Sequence, residues 1–186
     1  MQARIIIAWL LTVLSTADTF AAPRRNSWDP NCSPVFEAYA ATRSTYRYSQ
    51  VFYEVKSDGT LKSHGEARFT ETAVYDRNLT SARNKWVVSR RTGWSLWDNF
   101  GPKFAGCKLV AESDGTSEFG RRYTATWYGF PYEADAEIWL SRDGKTMAKV
   151  LRRYRTKWEF PFPNVLEVMN LDPASAAEPQ GVAPPD

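Results

Sequence analysis

Two hydrophobic patterns divide this chain. At its start Arg4 precedes an apolar run from Ile5 to Leu14, and small residues follow. A positive residue, a short apolar stretch and a small-residue site form the plan of a secretory signal peptide. About ten apolar residues fall well short of the roughly 20 that a bilayer-spanning helix needs, so a cleaved signal over 1–21 is expected rather than a membrane anchor. Cleavage after Ala21 puts Thr19 and Ala21 at the small-residue positions; Ala17 is the second choice. Asn31 before Cys32 lacks the small-residue context of a lipidated cysteine. The expected product is periplasmic or secreted, with no stable transmembrane anchor.

Beyond a polar, proline-interrupted lead-in over 22–31, the period is briefly helical. Ser33 followed by Pro34 reads as a capping hydroxyl and a proline in the first turn, where a missing N–H costs nothing. Val35, Phe36, Tyr39 and Ala40 then give one apolar stripe on a helix ending near Arg43. From Tyr46 onward the pattern is that of short strands separated by turns. Strands are expected in the hairpins around Ser57-Asp58-Gly59, Ser113-Asp114-Gly115 and Arg142-Asp143-Gly144, and over 73–77, 85–91, 94–97, 107–113, 121–128, 157–160 and 165–171. Residues 173–186 are rich in Pro and Ala and lack aromatics, so a disordered tail is expected.

Each Asp-Gly turn predicts a three-residue hairpin loop with glycine in the left-handed region. In the first hairpin that length sets Val55 opposite Leu61, Tyr53 opposite Ser63, Glu54 opposite Lys62 and Tyr48 opposite Arg68. In the last it sets Ile138 opposite Ala148, Ala136 opposite Val150, Glu137 opposite Lys149 and Glu133 opposite Arg153. Each hairpin then has one apolar and one charged face, and a one-residue slip would mix them. The prediction is a single α+β domain over 22–172: a curved antiparallel sheet, a half-barrel of about 8–10 strands, packed on one short N-terminal helix.

Composition narrows the function. The 186 residues carry a net charge of +3, two cysteines and one histidine. One imidazole and two thiols do not make a structural zinc site, no other cofactor motif occurs, and scattered basic residues leave no footprint for nucleic acid. In an oxidising compartment Cys32 and Cys107 are disulfide candidates, which would stabilise the fold by roughly 4 kcal/mol through loop-closure entropy. Two buried thiols are the alternative.

No catalytic residue is assigned. Glu133, Asp135 and Glu137 share a strand face, where paired carboxylates for acid–base chemistry would need to lie. Their expected basic cross-strand partners read better as a solvated ionic ladder, and a hydrolase using Asp135 or Glu137 is the weakest reading. The run Arg152, Arg153, Arg155 and Lys157 is split over two faces by strand alternation. His64 is expected exposed, between Lys62 and Glu66. No Gly-x-Ser-x-Gly elbow or phosphate-binding glycine loop occurs.

The aromatic content, 8 Trp, 9 Tyr and 10 Phe, asks for an explanation. Trp94, Trp97, Phe100 and Phe104 crowd a glycine- and proline-interrupted segment that reads as a partner-binding or lid loop. The bland alternative is that these rings close the open side of the sheet.

The order of features then resembles a known architecture. Cys107-Lys108-Leu109-Val110 precedes Tyr123-Thr124-Ala125-Thr126, then Glu137-Ile138-Trp139-Leu140-Ser141-Arg142-Asp143-Gly144, with Tyr154 and a closing strand near Asp172-Pro173. This is similar to the LolA-like and LppX-like exported bacterial proteins. The resemblance implies a half-barrel over a helix with an apolar concavity for acyl chains. It carries no individual functional residue over. Strand alternation and the aromatic surplus nominate Phe52, Phe69, Trp86, Trp127 and Ile138 as the apolar lining. The expected function is non-enzymatic binding of an apolar or lipid-like ligand; the alternative is an envelope interaction module with a filled core, an envelope protein as its partner and no ligand.

Overall fold

The computed structural model describes residues 29–81, 84–92, 97–98, 101–113, 117–129, 132–155 and 162–182. A 3₁₀ turn at Pro30–Cys32 leads into helix α1 (Ser33–Ser44). Eleven strands follow: β1 (Tyr48–Val55), β2 (Leu61–Phe69), β3 (Ala73–Asn78), β4 (Trp86–Arg90), β5 (Trp97–Asp98), β6 (Gly101–Pro102), β7 (Phe104–Glu112), β8 (Phe119–Gly129), β9 (Tyr132–Ser141), β10 (Met147–Tyr154) and β11 (Asn164–Asn170). A second 3₁₀ turn spans Pro173–Ala176. Nine strands form one open antiparallel sheet in the order β4-β3-β2-β1-β11-β10-β9-β8-β7, and β5 and β6 pair separately. One N-terminal helix on such a sheet is the expected α+β class.

The sheet consists of two meanders, β1 to β4 and β7 to β11, joined where β1 pairs with β11 from Ser49↔Asn170 to Glu54↔Val165. Helix α1 precedes the first meander in sequence but packs on the second. Its Val35, Phe36 and Ala38 are buried with Phe104, Tyr123, Ala125, Ala136, Ile138, Leu140, Met147 and Val150. Ser33 is already helical, because the 3₁₀ turn runs straight into α1 and puts Cys32 at the cap position without a capping side chain. The cap belongs one turn earlier. Asp29 accepts hydrogen bonds from Asn31 N at 3.0 Å and, across the fold, from Gly106 N at 2.7 Å. Beside that contact the Cys32–Cys107 disulfide forms, with Cα atoms 5.0 Å apart, and ties the start of α1 to edge strand β7.

The first hairpin has the expected loop and pairs: Tyr53↔Ser63, Glu54↔Lys62 and Val55↔Leu61, with Gly59 at φ 81°. Beyond Tyr53 the register departs. Phe52 pairs with Gly65, so His64 is the extra residue of a β-bulge and Tyr48 meets Phe69 rather than Arg68. The face carrying Tyr48, Gln50 and Phe52 turns toward α1, while Val51, Tyr53 and Val55 occupy the outer face, the reverse of the expected apolar side. The bulge shifts the phase of β2 by one residue, so that Ala67 and Phe69, rather than Arg68, join Tyr48 and Phe52 on the inner face. His64 is half-buried, its ring centroid 4.2 Å from that of Phe162 and Nε2 3.0 Å from Glu54 Oε2.

The last hairpin differs twice. Ser141 N bonds Thr146 O, giving a four-residue loop, and a bulge lies between Met147 and Lys149. Ile138 consequently pairs with Val150, Ala136 with Arg152 and Glu137 with Leu151. Two one-residue offsets sum to an even number, so Ala136, Ile138 and Val150 still face inward although their partners change. In the middle hairpin Ser113 N bonds Gly120 O and Glu112 pairs with Arg121, a longer connection than expected. The expected strand over 157–160 lies outside the described residues.

The C-terminal segment is packed through 182 rather than loose. Ser49 donates to Ser175 at 2.9 Å, Arg68 to the Ala177 carbonyl at 2.8 Å, and Ala176 is fully buried. It lies on the face opposite α1, where alternation places Ser49, Arg68 and Tyr75.

Candidate functional site

Helix α1 covers the inner face over β8 to β10 but leaves it open over β1 to β4. There a trough runs along the sheet as three hollows that share walls. The first, about 450 Å³, is lined by Phe52, Gly65, Asp76, Asn78, Phe162 and Val165 among others. The second, about 360 Å³, is bordered by Arg43, Tyr48, Gln50, Phe69, Asp76 and Arg91 among others. The third, about 190 Å³, lies beside α1 between Tyr39, Phe104, Trp127, Arg152 and Glu167. Asp76 borders the first two, Phe52 the first and third, and Arg43 and Gln50 the second and third.

The trough is apolar at one end and cationic in its middle. At the apolar end Phe52 and Phe162 pack around Ala134, Tyr154 and Val165. In the middle Tyr48 and Phe69 stack face to face, their centroids 4.3 Å apart and nearly parallel, an arrangement the His64 bulge creates by bringing them opposite. Arg43, in the last turn of α1, lies over Phe69 at 5.1 Å and donates to the Tyr48 hydroxyl at 3.1 Å. Arg91 acts structurally. Its guanidinium donates to the carbonyls of Tyr46 (2.9 Å), Thr70 (2.7 Å), Arg43 (2.8 Å) and Thr45 (2.9 Å), gathering the helix end and the β2–β3 turn. At the inner end Arg152 pairs with Glu167, both largely buried, and lies 4.8 Å from the centre of the Trp127 ring. Asp76 is exposed at its edges yet hemmed in by protein. This burial raises its carboxyl above the ordinary pKa, and the Arg43 charge opposes the shift.

The nominated lining residues are divided by this geometry. Phe52, Phe69 and Trp127 border the trough. Ile138 is fully buried beneath α1 and faces no hollow. Trp86 lies on the opposite face, because it pairs with Arg77, which pairs with Glu66, which pairs with Val51. There it is flanked by the guanidinium groups of Arg68 at 4.8 Å and Arg77 at 4.5 Å, both bonded to Glu66. Phe104, nominated for a lid, is 1% exposed and packs edge-on against Phe36 and Tyr39, so it is a core residue. Trp94 and Phe100 lie outside the described residues, and of Trp97 only the backbone, in β5, is described.

The carboxylates proposed for a hydrolase are committed to ion pairs on the outer face. Arg155 bonds Glu133 and Asp135, and Arg153 donates to Glu137 at 2.7 Å. This is an ionic ladder with partners other than those expected from a three-residue loop. Arg43, Gln50, Asp76, Arg91 and Phe162 escaped the sequence reading. The accessible signal was polar Gln50 at the same alternation phase as Tyr48 and Phe52.

No group of three or more His, Cys, Asp or Glu side chains is placed to hold a metal among the described residues. No helix among them is long and apolar enough to cross a membrane. No protein-family model matches the chain, and no curated protein resembles it at a significant level.

Proposed function

We propose that the protein is a non-enzymatic binder of an apolar or lipid-like ligand, held in the trough that α1 leaves open. The observation that carries this reading is the hollow of about 450 Å³ framed by Phe52, Phe162 and Val165. That volume is within the range of small-molecule sites, which are concave and mostly apolar with a few placed polar groups. The disulfide and the signal-like leader favour an exported protein in an oxidising compartment, where such a binder would shield its ligand from water. Native mass spectrometry of the exported protein tests the reading. A retained lipid-sized mass, or one gained from membrane extract, is the expected result; a clean apo mass under both conditions counts against it.

A further inference from the structure

Among the charged groups facing the trough, Arg43 stands apart by its bonding. Arg91 spends its guanidinium on four carbonyls, and Arg152 is paired with Glu167. Arg43 has five N–H donors, and its only hydrogen-bond acceptor among the described residues is the neutral Tyr48 hydroxyl. No carboxylate lies within ion-pair distance of it among those residues. The guanidinium lies over the Phe69 ring at 5.1 Å and is held by the Tyr48 hydroxyl, neither of which neutralises it.

Gln50 is the second observation. It is 7% exposed, borders both hollows that Arg43 borders, and has no hydrogen-bond partner among the described residues. The enclosed side-chain polar atoms without partners among the described residues are Tyr75 Oη, Arg77 Nε and Arg152 Nε; the Gln50 amide is not one of them, so it opens onto the hollows and is free to meet a ligand group. An oxygen-bearing ligand group beside Arg43 would satisfy the Gln50 amide and neutralise the guanidinium together. Charge-assisted hydrogen bonds to an oxyanion are the strongest that arginine makes, and its fork matches carboxylate and phosphate geometry.

The geometry points to an anionic amphiphile as the ligand: an oxyanion head seated on Arg43 and Gln50, and an apolar chain running past Phe52 toward Phe162 and Val165. This rests on the trough being a ligand site, and it adds the charge and polarity of what binds. Two acids line the hollows that Arg43 borders: Asp76 the second, and Glu167, already paired with Arg152, the third.

The test uses dodecyl phosphate, dodecanol and inorganic phosphate, each titrated calorimetrically below micellar concentration into the mature protein. Dodecyl phosphate should bind about tenfold to a hundredfold more tightly than dodecanol, the range expected for a charged hydrogen-bond pair, and inorganic phosphate should not bind measurably. Arg43→Gln should bring dodecyl phosphate down to the dodecanol level and leave dodecanol unchanged, and Gln50→Met should give a partial loss. Raising the salt should weaken dodecyl phosphate alone in the wild type, a readout that needs no variant to fold. Equal binding of dodecyl phosphate and dodecanol overturns the anionic head while leaving an apolar-ligand site standing. Tight binding of inorganic phosphate overturns the amphiphile in favour of a free-anion site, and failure of both dodecyl probes overturns the trough as a ligand site altogether.

Discussion

The Thr42 hydroxyl accepts a hydrogen bond from the Met147 backbone N–H at 2.8 Å and itself donates to the Ala38 carbonyl at 2.8 Å. Met147 stands at the bulge where β10 begins, so its N–H lacks a regular ladder partner and α1 supplies one. Thr42→Val keeps the shape and removes the acceptor, leaving a buried donor unsatisfied. The expected cost is about 1–3 kcal/mol in urea unfolding. A Thr42→Ser variant, which keeps the hydroxyl, should recover most of it.

Arg91 joins four carbonyls that belong to the end of α1, the segment after it and the β2–β3 turn. A lysine keeps the charge but cannot reproduce that planar fork. Arg91→Lys is therefore expected to destabilise by about 1.5–3 kcal/mol, the loss scale for hydrogen bonds to a charged group. Thermal unfolding checks this, and a change near zero would remove Arg91 from the structural role assigned to it.

The Cys32–Cys107 bridge closes a loop of 75 residues. Loop-closure entropy puts its contribution at roughly 4 kcal/mol. The double variant Cys32→Ala, Cys107→Ala should unfold at correspondingly lower denaturant. Because Asp29 still accepts from Gly106 N, the N-terminal turn should stay near β7 in the folded variant, measurable as hydrogen-exchange protection at Gly106.

Two carboxylates should act on stability in opposite directions with pH. Burial alone would raise the Glu66 pKa, but hydrogen bonds from Arg68 and Arg77 outweigh it and the net shift is downward. Its contribution is thus present above the unfolded value of about 4.3 and lost as pH falls through the lower folded value. Glu66→Gln should flatten the acid limb of the stability curve measured between pH 5 and pH 2.

Asp76 has the reverse sign, its folded pKa being raised by burial. The folded state then holds the proton more tightly than the unfolded chain, so stability is lost as pH rises above about 3.9 toward the higher folded value. Asp76→Asn should raise the melting temperature at pH 7 and have much less effect at pH 3. An equal change at both values would show that the effect is packing rather than charge.

These relationships mark where sequence patterns stop being informative. The disulfide follows from the chain having two cysteines, and the helix start and the Ser57-Asp58-Gly59 loop follow from local chemistry and are visible in a few adjacent residues. Register is not, because one extra residue such as His64 leaves the alternation looking regular on both sides of it while exchanging the faces. Trp86 illustrates the result: its aromatic character suggested a cavity wall, yet its strand phase, inherited through three pairings from β1, places it between two arginines on the outer face. The β9–β10 hairpin escaped this fate because its two offsets cancel in parity. The Arg43 and Gln50 arrangement is further removed still, since it depends on a helix end and a strand meeting across the first bend of the chain.

The joining of the two meanders at β1 and β11 has a consequence for how the chain matures. Each meander is a set of sequence-local hairpins, but the seam between them pairs Ser49 with Asn170. The last strand to be made is therefore a central one, and the sheet stays in two pieces until that strand arrives. Contacts so distant in sequence form slowly, and the unpaired borders exposed meanwhile invite association with other chains. A truncation that removes residues 164–170 would divide the molecule down its middle rather than trim an end.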